Sequence, residues 1–226
     1  AVERITYGLL NLSHRAGSEN LRPLQKGRSY DIAVKLNEIA QTVPAGCRLR
    51  VSLSTSYWPI AWPSPELATL TIDPSRSAID LPVLESATGM SKVRFAPAEQ
   101  SRAASVTVKQ PGAETRHVIH DIDKQRTNMT IRRNDGTYVI DDIGTEITFT
   151  KLKDFAVSRT DPSGARSVVA CTGHYRRGGW DARVETELVM TCDRYRFHLT
   201  ASVKTFDDGK PFISRTFDRS FKRDHV

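Results

Sequence analysis

Residues 181–192 read Asp-Ala-Arg-Val-Glu-Thr-Glu-Leu-Val-Met-Thr-Cys, and this stretch decides the fold class. Small or apolar side chains at the even positions alternate with charged ones at odd positions up to Glu187, a period of two that is typical of a β-strand with one buried face. A helix would repeat its apolar residues every three or four positions instead. Because the same period recurs in most apolar runs of the chain, the sequence predicts an all-β protein.

Turn signals divide the second half of the chain into strands. Asn-Asp-Gly at residues 134–136, Asp-Pro-Ser-Gly at 161–164 and Asp-Asp-Gly at 207–209 each lie between two apolar runs. Such sequences supply the positive φ angles and local hydrogen bonds of tight turns. We therefore expect a hairpin at each of them. Residues 105–226 are predicted to form an antiparallel β-meander of six to eight strands, curled into a half-barrel or open sheet over one apolar face.

A different β region is predicted for residues 1–83. Short period-two runs lie at residues 29–36, 47–55, 67–72 and 77–81. Residues 84–104 have no sustained period and contain Gly89, Pro97 and several Ala and Ser, which is typical of a linker. The sequence thus predicts two β modules, residues 1–83 and 105–226, joined by a linker at 84–104.

Composition narrows the function classes. Of the 226 residues 38% are hydrophobic and the formal net charge is +7, which fits a globular protein and does not by itself define a nucleic-acid binder. The arginines of the second module alternate along strands, as on a solvated face, so we expect no nucleic-acid partner. No apolar run is long enough for a membrane span. Three scattered cysteines favour a reducing compartment, so we expect a cytoplasmic protein.

Motifs for catalysis or metal binding are weak. The closest approach to the Gly-x-Ser-x-Gly turn of serine hydrolases is Gly-Met-Ser-Lys-Val at residues 89–93, which lacks the second glycine. His117, His120, Asp121 and Asp123 invite a metal interpretation, but residues three apart on a strand face opposite sides, and the same objection applies to Cys171 with His174. We expect no catalytic residue, no metal site and no cofactor.

The densest aromatic cluster follows the run at 47–55. Residues 54–66 read Ser-Thr-Ser-Tyr-Trp-Pro-Ile-Ala-Trp-Pro-Ser-Pro-Glu and contain three aromatic rings and three prolines. Rings exposed on a loop would leave a costly apolar patch in water. Three interpretations remain open: the indoles fold back onto their own module, they dock against another domain, or they form a stacking platform for sugars. The candidate residues of a substrate-pocket or domain-interface site are Ser56, Tyr57, Trp58 and Trp62.

A family resemblance emerges from this loop. Residues 8–15 (Gly-Leu-Leu-Asn-Leu-Ser-His-Arg), 53–59 (Leu-Ser-Thr-Ser-Tyr-Trp-Pro), 61–65 (Ala-Trp-Pro-Ser-Pro) and 214–219 (Ser-Arg-Thr-Phe-Asp-Arg) together resemble the C-terminal part of hydrolases of the X-Pro dipeptidyl-peptidase and cocaine-esterase family. The match is most specific in the first module. It implies that residues 1–83 are the second half of a non-catalytic, galactose-binding-like jelly-roll sandwich. Residues 105–226 resemble an additional β module of one branch of the family.

The resemblance implies an accessory role. In that family the serine, aspartate and histidine lie on an α/β-hydrolase domain that precedes the jelly roll, and no position here corresponds to them. The implied partner is such a catalytic domain in the same polypeptide, against which the chain packs while it helps to shape the substrate pocket. The chain alone is expected to be inactive. With early sandwich strands missing, open sheet edges would favour homo-oligomers. The alternative is a stand-alone carbohydrate-binding module that uses Tyr57, Trp58 and Trp62.

Overall fold

The computed structural model describes residues 2–84 and 94–224. Strands make up 43% of it, and they form one antiparallel sheet of eight strands. The described residues contain no α-helix, only short 3-10 turns. The predicted all-β class is therefore confirmed.

The sheet lies entirely in the second half of the chain. Its strands are β1 Val106–Gln110, β2 Ala113–Asp121, β3 Arg126–Ile140, β4 Thr145–Ser158, β5 Arg166–Arg177, β6 Trp180–Cys192, β7 Arg196–Asp207 and β8 Lys210–Lys222. From β3 to β8 each strand pairs with the next one in the chain. Both β1 and β2 pair with β3, so they share one edge of the sheet, and β8 is the opposite edge. Short connections and nearest-neighbour pairing make this a meander, as the sequence predicted.

The predicted hairpin at residues 134–136 is wrong. These residues lie inside the continuous strand β3, where the register with β4 shifts between Asn134 and Thr137, so they form a bulge. Gly136 has φ +82°, and a Cβ there would lie 2.2 Å from the Gln110 carbonyl oxygen. A glycine with positive φ serves a bulge as well as a turn, which is why the local signal was ambiguous. The bulge lies against residues 110–112, which connect β1 to β2. This connection divides the strand that borders β3 into two shorter strands.

The other two turns are confirmed. Residues 161–164 connect β4 to β5 through a 3-10 turn at Pro162–Gly164, and the Asp161 side chain accepts a hydrogen bond from the Ser163 N–H. Residues 207–209 connect β7 to β8, with φ angles of 48° at Asp208 and 74° at Gly209. The alternating stretch that predicted the fold class, 181–192, corresponds to β6 with a difference of one residue.

The two faces of the sheet differ in chemistry, as the period of two requires. One face carries mainly apolar side chains, among them Ile131, Phe149, Phe155, Val184, Leu188, Met190, Phe197, Leu199, Val203 and Phe217. The other face carries polar networks. On it Thr130 donates to Asp154 at 2.7 Å, and Arg176 pairs with Glu146 at 2.7 Å. The apolar face is therefore the one available for packing against other parts of the protein.

The strands predicted for residues 29–36, 47–55, 67–72 and 77–81 are not formed. The described residues 2–84 contain two 3-10 turns, Leu12–His14 and Pro74–Arg76, and otherwise extended or irregular chain. The alternating apolar side chains there stay exposed, as Leu49, Val51 and Leu53 show at 54%, 61% and 66%. Chain does lie beside the first of these segments, because the Asn37 N–H donates to the Tyr7 carbonyl at 3.0 Å and Gly8 lies against the Lys35 carbonyl oxygen. A strand, however, needs a repeated ladder of N–H···O=C bonds with its neighbour, and none of the four segments is a strand.

The tightest packing lies at one end of the sheet. Ala156, Ala165, Val168 and Cys192 are buried there, at the ends of β4 and β6 and around the turn into β5. Pro63, from the aromatic loop, is buried as well. This end of the sheet is where the first half of the chain meets the second.

Candidate functional site

Both indoles of the aromatic loop lie on the apolar face of the sheet. Trp58 and Trp62 meet edge to face with ring centroids 4.8 Å apart. Trp58 also meets Phe155 of β4 at 6.1 Å, and Trp62 meets Phe197 of β7 at 5.5 Å, both nearly perpendicular. Edge-to-face pairs are favoured by the ring quadrupole and stabilise beyond the area they bury. The four rings form a continuous aromatic cluster between two parts of the chain.

A buried thiol receives the polar end of one indole. The Trp62 Nε1–H donates to Cys192 Sγ at 3.1 Å, and Cys192 is the last residue of β6. The same sulfur lies 3.8 Å and 3.7 Å from the carbonyl oxygens of Pro162 and Ser163. Cys192 thus joins the aromatic loop to the β4–β5 turn. Its burial favours a packing role over a reactive one.

Arg223 completes this corner from the end of β8. It is only 4% exposed, and its Nη2 donates to the Pro63 carbonyl at 2.6 Å. Its Nη1 donates to the Asp193 carbonyl at 3.0 Å, while the guanidinium lies 4.7 Å from the Phe197 ring centroid. Burial lowers the pKa of Arg223. A planar fork with several donors can hold two carbonyls and one ring face at once, and this is the property that separates Arg from Lys.

A second polar network borders the same corner. The Asp193 carboxylate accepts from His198 Nε2 at 2.7 Å and from the N–H groups of Tyr195 and Arg196. The His198 hydrogen bond, followed by the Tyr195 N–H, lowers the pKa of Asp193 to about 2. The carboxylate therefore fixes the β6–β7 turn that carries the Arg223 contact.

Ser220 extends this network across the β7–β8 pair. Its Oγ lies 3.4 Å from His198 Nδ1, so Asp193, His198 and Ser220 stand in the order of a hydrolase triad. Arg196, however, donates to the same Ser220 Oγ at 2.6 Å through Nε and to the Ser220 carbonyl at 3.2 Å through Nη2, so Ser220 is part of a cross-strand contact between β7 and β8. We therefore assign these residues to holding the turn and the edge strand.

The third ring of the predicted cluster lies apart from the indoles. Tyr57 packs against Tyr7 with ring centroids 5.4 Å apart, and its hydroxyl accepts a hydrogen bond from Arg4. Ser56 is part of a local turn in which its N–H donates to Ser54 Oγ at 3.2 Å. The structure thus divides the four candidate residues: Trp58 and Trp62 face the sheet, whereas Tyr57 faces the N-terminal segment. Their assignment to a substrate pocket or a domain interface stays a prediction.

The remaining candidates are dispersed. His120 Nδ1 lies 2.9 Å from Thr127 Oγ1 across the β2–β3 pair, and Asp121 accepts from the Lys124 N–H at 2.9 Å in the turn. His174 lies 2.6 Å from Asp181 on the polar face. Among the residues that the structure describes, no three His, Cys, Asp or Glu side chains gather as metal ligands would. The Gly-Met-Ser-Lys-Val stretch at 89–93 lies outside the described residues.

The aromatic loop could be identified from the sequence, but the residues that it contacts could not. Cys192, Phe197 and Arg223 gave no local signal, because their importance comes from contacts with residues far away in the chain. Trp62 and Cys192 are 130 positions apart, and Pro63 and Arg223 are 160 apart. The described arrangement holds chain segments together through rings, a thiol and a guanidinium.

The first part of the chain matches a known protein family. Residues 1–128 match the family of the X-Pro dipeptidyl-peptidase C-terminal non-catalytic domain. The match covers more than half of the chain, so the protein belongs to this family. It runs through the predicted linker and β2 into the first residues of β3.

Beyond this family, no curated protein and no solved structure matches the chain. Across residues 2–84 and 94–224 there is no helix with the length and apolar character that crossing a lipid bilayer requires.

Proposed function

We propose that this chain is the non-catalytic C-terminal region of a serine hydrolase of the acyl-peptidase, esterase or amidase type. In this proposal it packs on the α/β-hydrolase catalytic domain of the same polypeptide and helps to shape the substrate pocket. Membership of a family named for a non-catalytic C-terminal domain supports the accessory role. The proposal covers residues 1–83 as the packing module, 84–104 as a linker and 105–226 as a second module.

The observation that carries the proposal is the exposed surface of the chain. Its accessible area is 18307 Å². A folded monomer of 25.3 kDa exposes roughly 10,300 Å² by the scaling of area with mass. An excess of about 8,000 Å² is several times the area of a standard interface between two proteins. Surface of this size is expected of a module that is covered by a neighbouring body.

The exposed apolar residues support a position for the proposed contact surface. Leu49, Val51 and Leu53 alternate along one extended segment and are each more than half exposed. They lie directly before the aromatic loop, which is itself anchored on the sheet. We therefore place the contact with the catalytic domain on residues 47–55 and the neighbouring extended segments. The loop, with Ser56, Tyr57, Trp58 and Trp62, connects this contact to the sheet.

A first experiment compares the isolated chain with the polypeptide encoded by its complete reading frame. Both are assayed with chromogenic Xaa-Pro and acyl ester substrates and with a serine-directed fluorophosphonate. We expect turnover and labelling in the longer polypeptide and neither in the chain alone. Inhibitor-sensitive turnover by the chain alone would contradict its assignment as non-catalytic. Fluorescence quenching of the chain by oligosaccharides would favour the carbohydrate-binding alternative.

A second experiment tests the contact surface in the longer polypeptide. Val51→Asp places a charge on the proposed interface, and Ile119→Asp is the matched control because the two side chains are 61% and 62% exposed and Ile119 lies on the polar face of the sheet. Burying an unpaired charge is costly, so Val51→Asp should lower activity by at least about ten-fold while Ile119→Asp leaves it unchanged. Equal activity of the two variants would remove residues 47–55 from the interface.

A further inference from the structure

A cleft outside the aromatic corner gathers three arginines around one tyrosine. It has a volume of about 390 Å³ and is lined by Arg15, Arg22, Pro23, Gln25, Arg28 and Tyr30. This volume falls within the usual range for small-molecule sites. The lining contains no Asp or Glu.

Two of the three guanidiniums are fixed by other groups of the cleft. Arg15 Nη1 donates to the Leu12 carbonyl at 3.0 Å and to the Arg22 carbonyl, and its guanidinium lies 4.5 Å from the Tyr30 ring centroid. Arg28 Nη1 donates to Gln25 Oε1 at 3.3 Å, and the Arg28 guanidinium carbon lies 5.4 Å from the same ring centroid. The ring itself is held because the Tyr30 hydroxyl accepts from the Gln25 N–H at 2.9 Å. These contacts leave donors of both guanidiniums available to a ligand.

The three positive charges of the cleft have no ion-pair partner among the residues that the structure describes. Over the described ranges, no carboxylate lies within 4 Å of the guanidinium nitrogens of Arg15, Arg22 or Arg28, and Asp31, which follows Tyr30 in the chain, pairs with Arg76. Three like charges around one cavity repel each other, and an anion in the cavity would offset this repulsion because it attracts all three guanidiniums. Guanidinium forks match the oxygens of carboxylates and phosphates, with two parallel hydrogen bonds per group.

We propose that this cleft binds a small molecule with several oxyanion charges, as in a polycarboxylate or a phosphate compound. Arg15 and Arg28 hold the ligand against the region of Tyr30, and Arg22 supplies the third charge. The cleft lies within residues 1–83, the proposed packing module, but none of its residues belongs to the aromatic corner or to residues 47–55, so anion binding can be tested separately from that contact.

The experiment is a calorimetric titration of the chain with pyrophosphate and, separately, with citrate at low and moderate salt. The matched control for Arg22→Gln and Arg28→Gln is Arg102→Gln, which removes the same charge from an exposed position outside the cleft. Hydrogen bonds to charged groups are worth enough that each cleft variant should weaken binding about ten-fold or more, with Arg102→Gln close to the unaltered chain.

Comparing the two anions shows which class of ligand the cleft prefers. Tighter binding of pyrophosphate assigns the cleft to phosphate compounds, and tighter binding of citrate assigns it to polycarboxylates. Binding that weakens equally in Arg102→Gln would show general charge attraction and overturn the proposal. Absence of binding by either anion would overturn it as well. Far-UV circular dichroism of each variant checks that the sheet is intact.

Discussion

Replacing Trp62 by alanine tests whether the aromatic corner stabilises the sheet. The substitution removes two edge-to-face ring contacts, with Trp58 and Phe197, and the hydrogen bond to Cys192 Sγ. Each ring pair is worth about 1 kcal/mol, and the hydrogen bond contributes somewhat less. Together they predict a loss of about 3 kcal/mol in the free energy of unfolding, the lower end of the range for Trp-to-Ala changes in cores.

The assay is urea denaturation followed by far-UV circular dichroism, which reports the strands and does not depend on the number of indoles. Trp180→Ala is the matched control, because Trp180 is 46% exposed and contacts Arg177 at the opposite end of the sheet. Its loss should cost less than about 1 kcal/mol. If Trp62→Ala and Trp180→Ala shift the urea midpoint equally, the corner does not stabilise the sheet and the reasoning fails.

Three further predictions concern the sheet and its corner. Gly136→Ala should lower the free energy of unfolding by at least about 2 kcal/mol, because φ is positive there and the new Cβ would meet backbone atoms. Gly209→Ala is also at positive φ, but its Cβ would lie in open space, so we expect a loss of about 1 kcal/mol. Urea denaturation measures both losses. Arg223→Lys should cost about 2 kcal/mol, since an ammonium cannot hold both carbonyls, and a melting temperature equal to that of the unaltered chain would contradict this. The depressed pKa of Asp193 means that its hydrogen bond with His198 stabilises the fold above the ordinary pKa near 3.8 and is lost as the pH falls toward about 2. The difference in melting temperature between the unaltered chain and Asp193→Asn should therefore shrink over that interval, and a constant difference would disprove the linkage.

Much of the sheet could be predicted from the sequence because its strands pair with their neighbours in the chain. Residues 181–192 and the turn at 207–209 contain both the alternation and the turn chemistry that a hairpin needs, so local patterns were sufficient. The bulge at 134–136 shows the limit of this approach. A glycine with positive φ fits a turn or a bulge, and only the partner strands β1 and β2 decide between them.

The first half of the chain could not be predicted in the same way. Residues 47–55 carry a strand pattern without a strand, since alternation specifies which face could be buried but does not supply a neighbour for the backbone. The aromatic loop was identified from its composition, yet its contacts with Cys192 and Arg223 depend on the folded positions of β6 and β8. Such long-range pairs leave no periodic trace in the sequence.

The anchorage of the first half of the chain has a mechanical consequence. The residues that attach the first half to the second, Trp58, Trp62, Pro63 and Glu66, fall within one short loop, and Glu66 pairs with Arg194 of the β6–β7 turn. A pulling force applied from the N-terminal side would thus enter the strands at a single point and act on the indoles before any strand is sheared. In an optical-trap experiment we expect this attachment to detach first, while the strands of the meander stay paired.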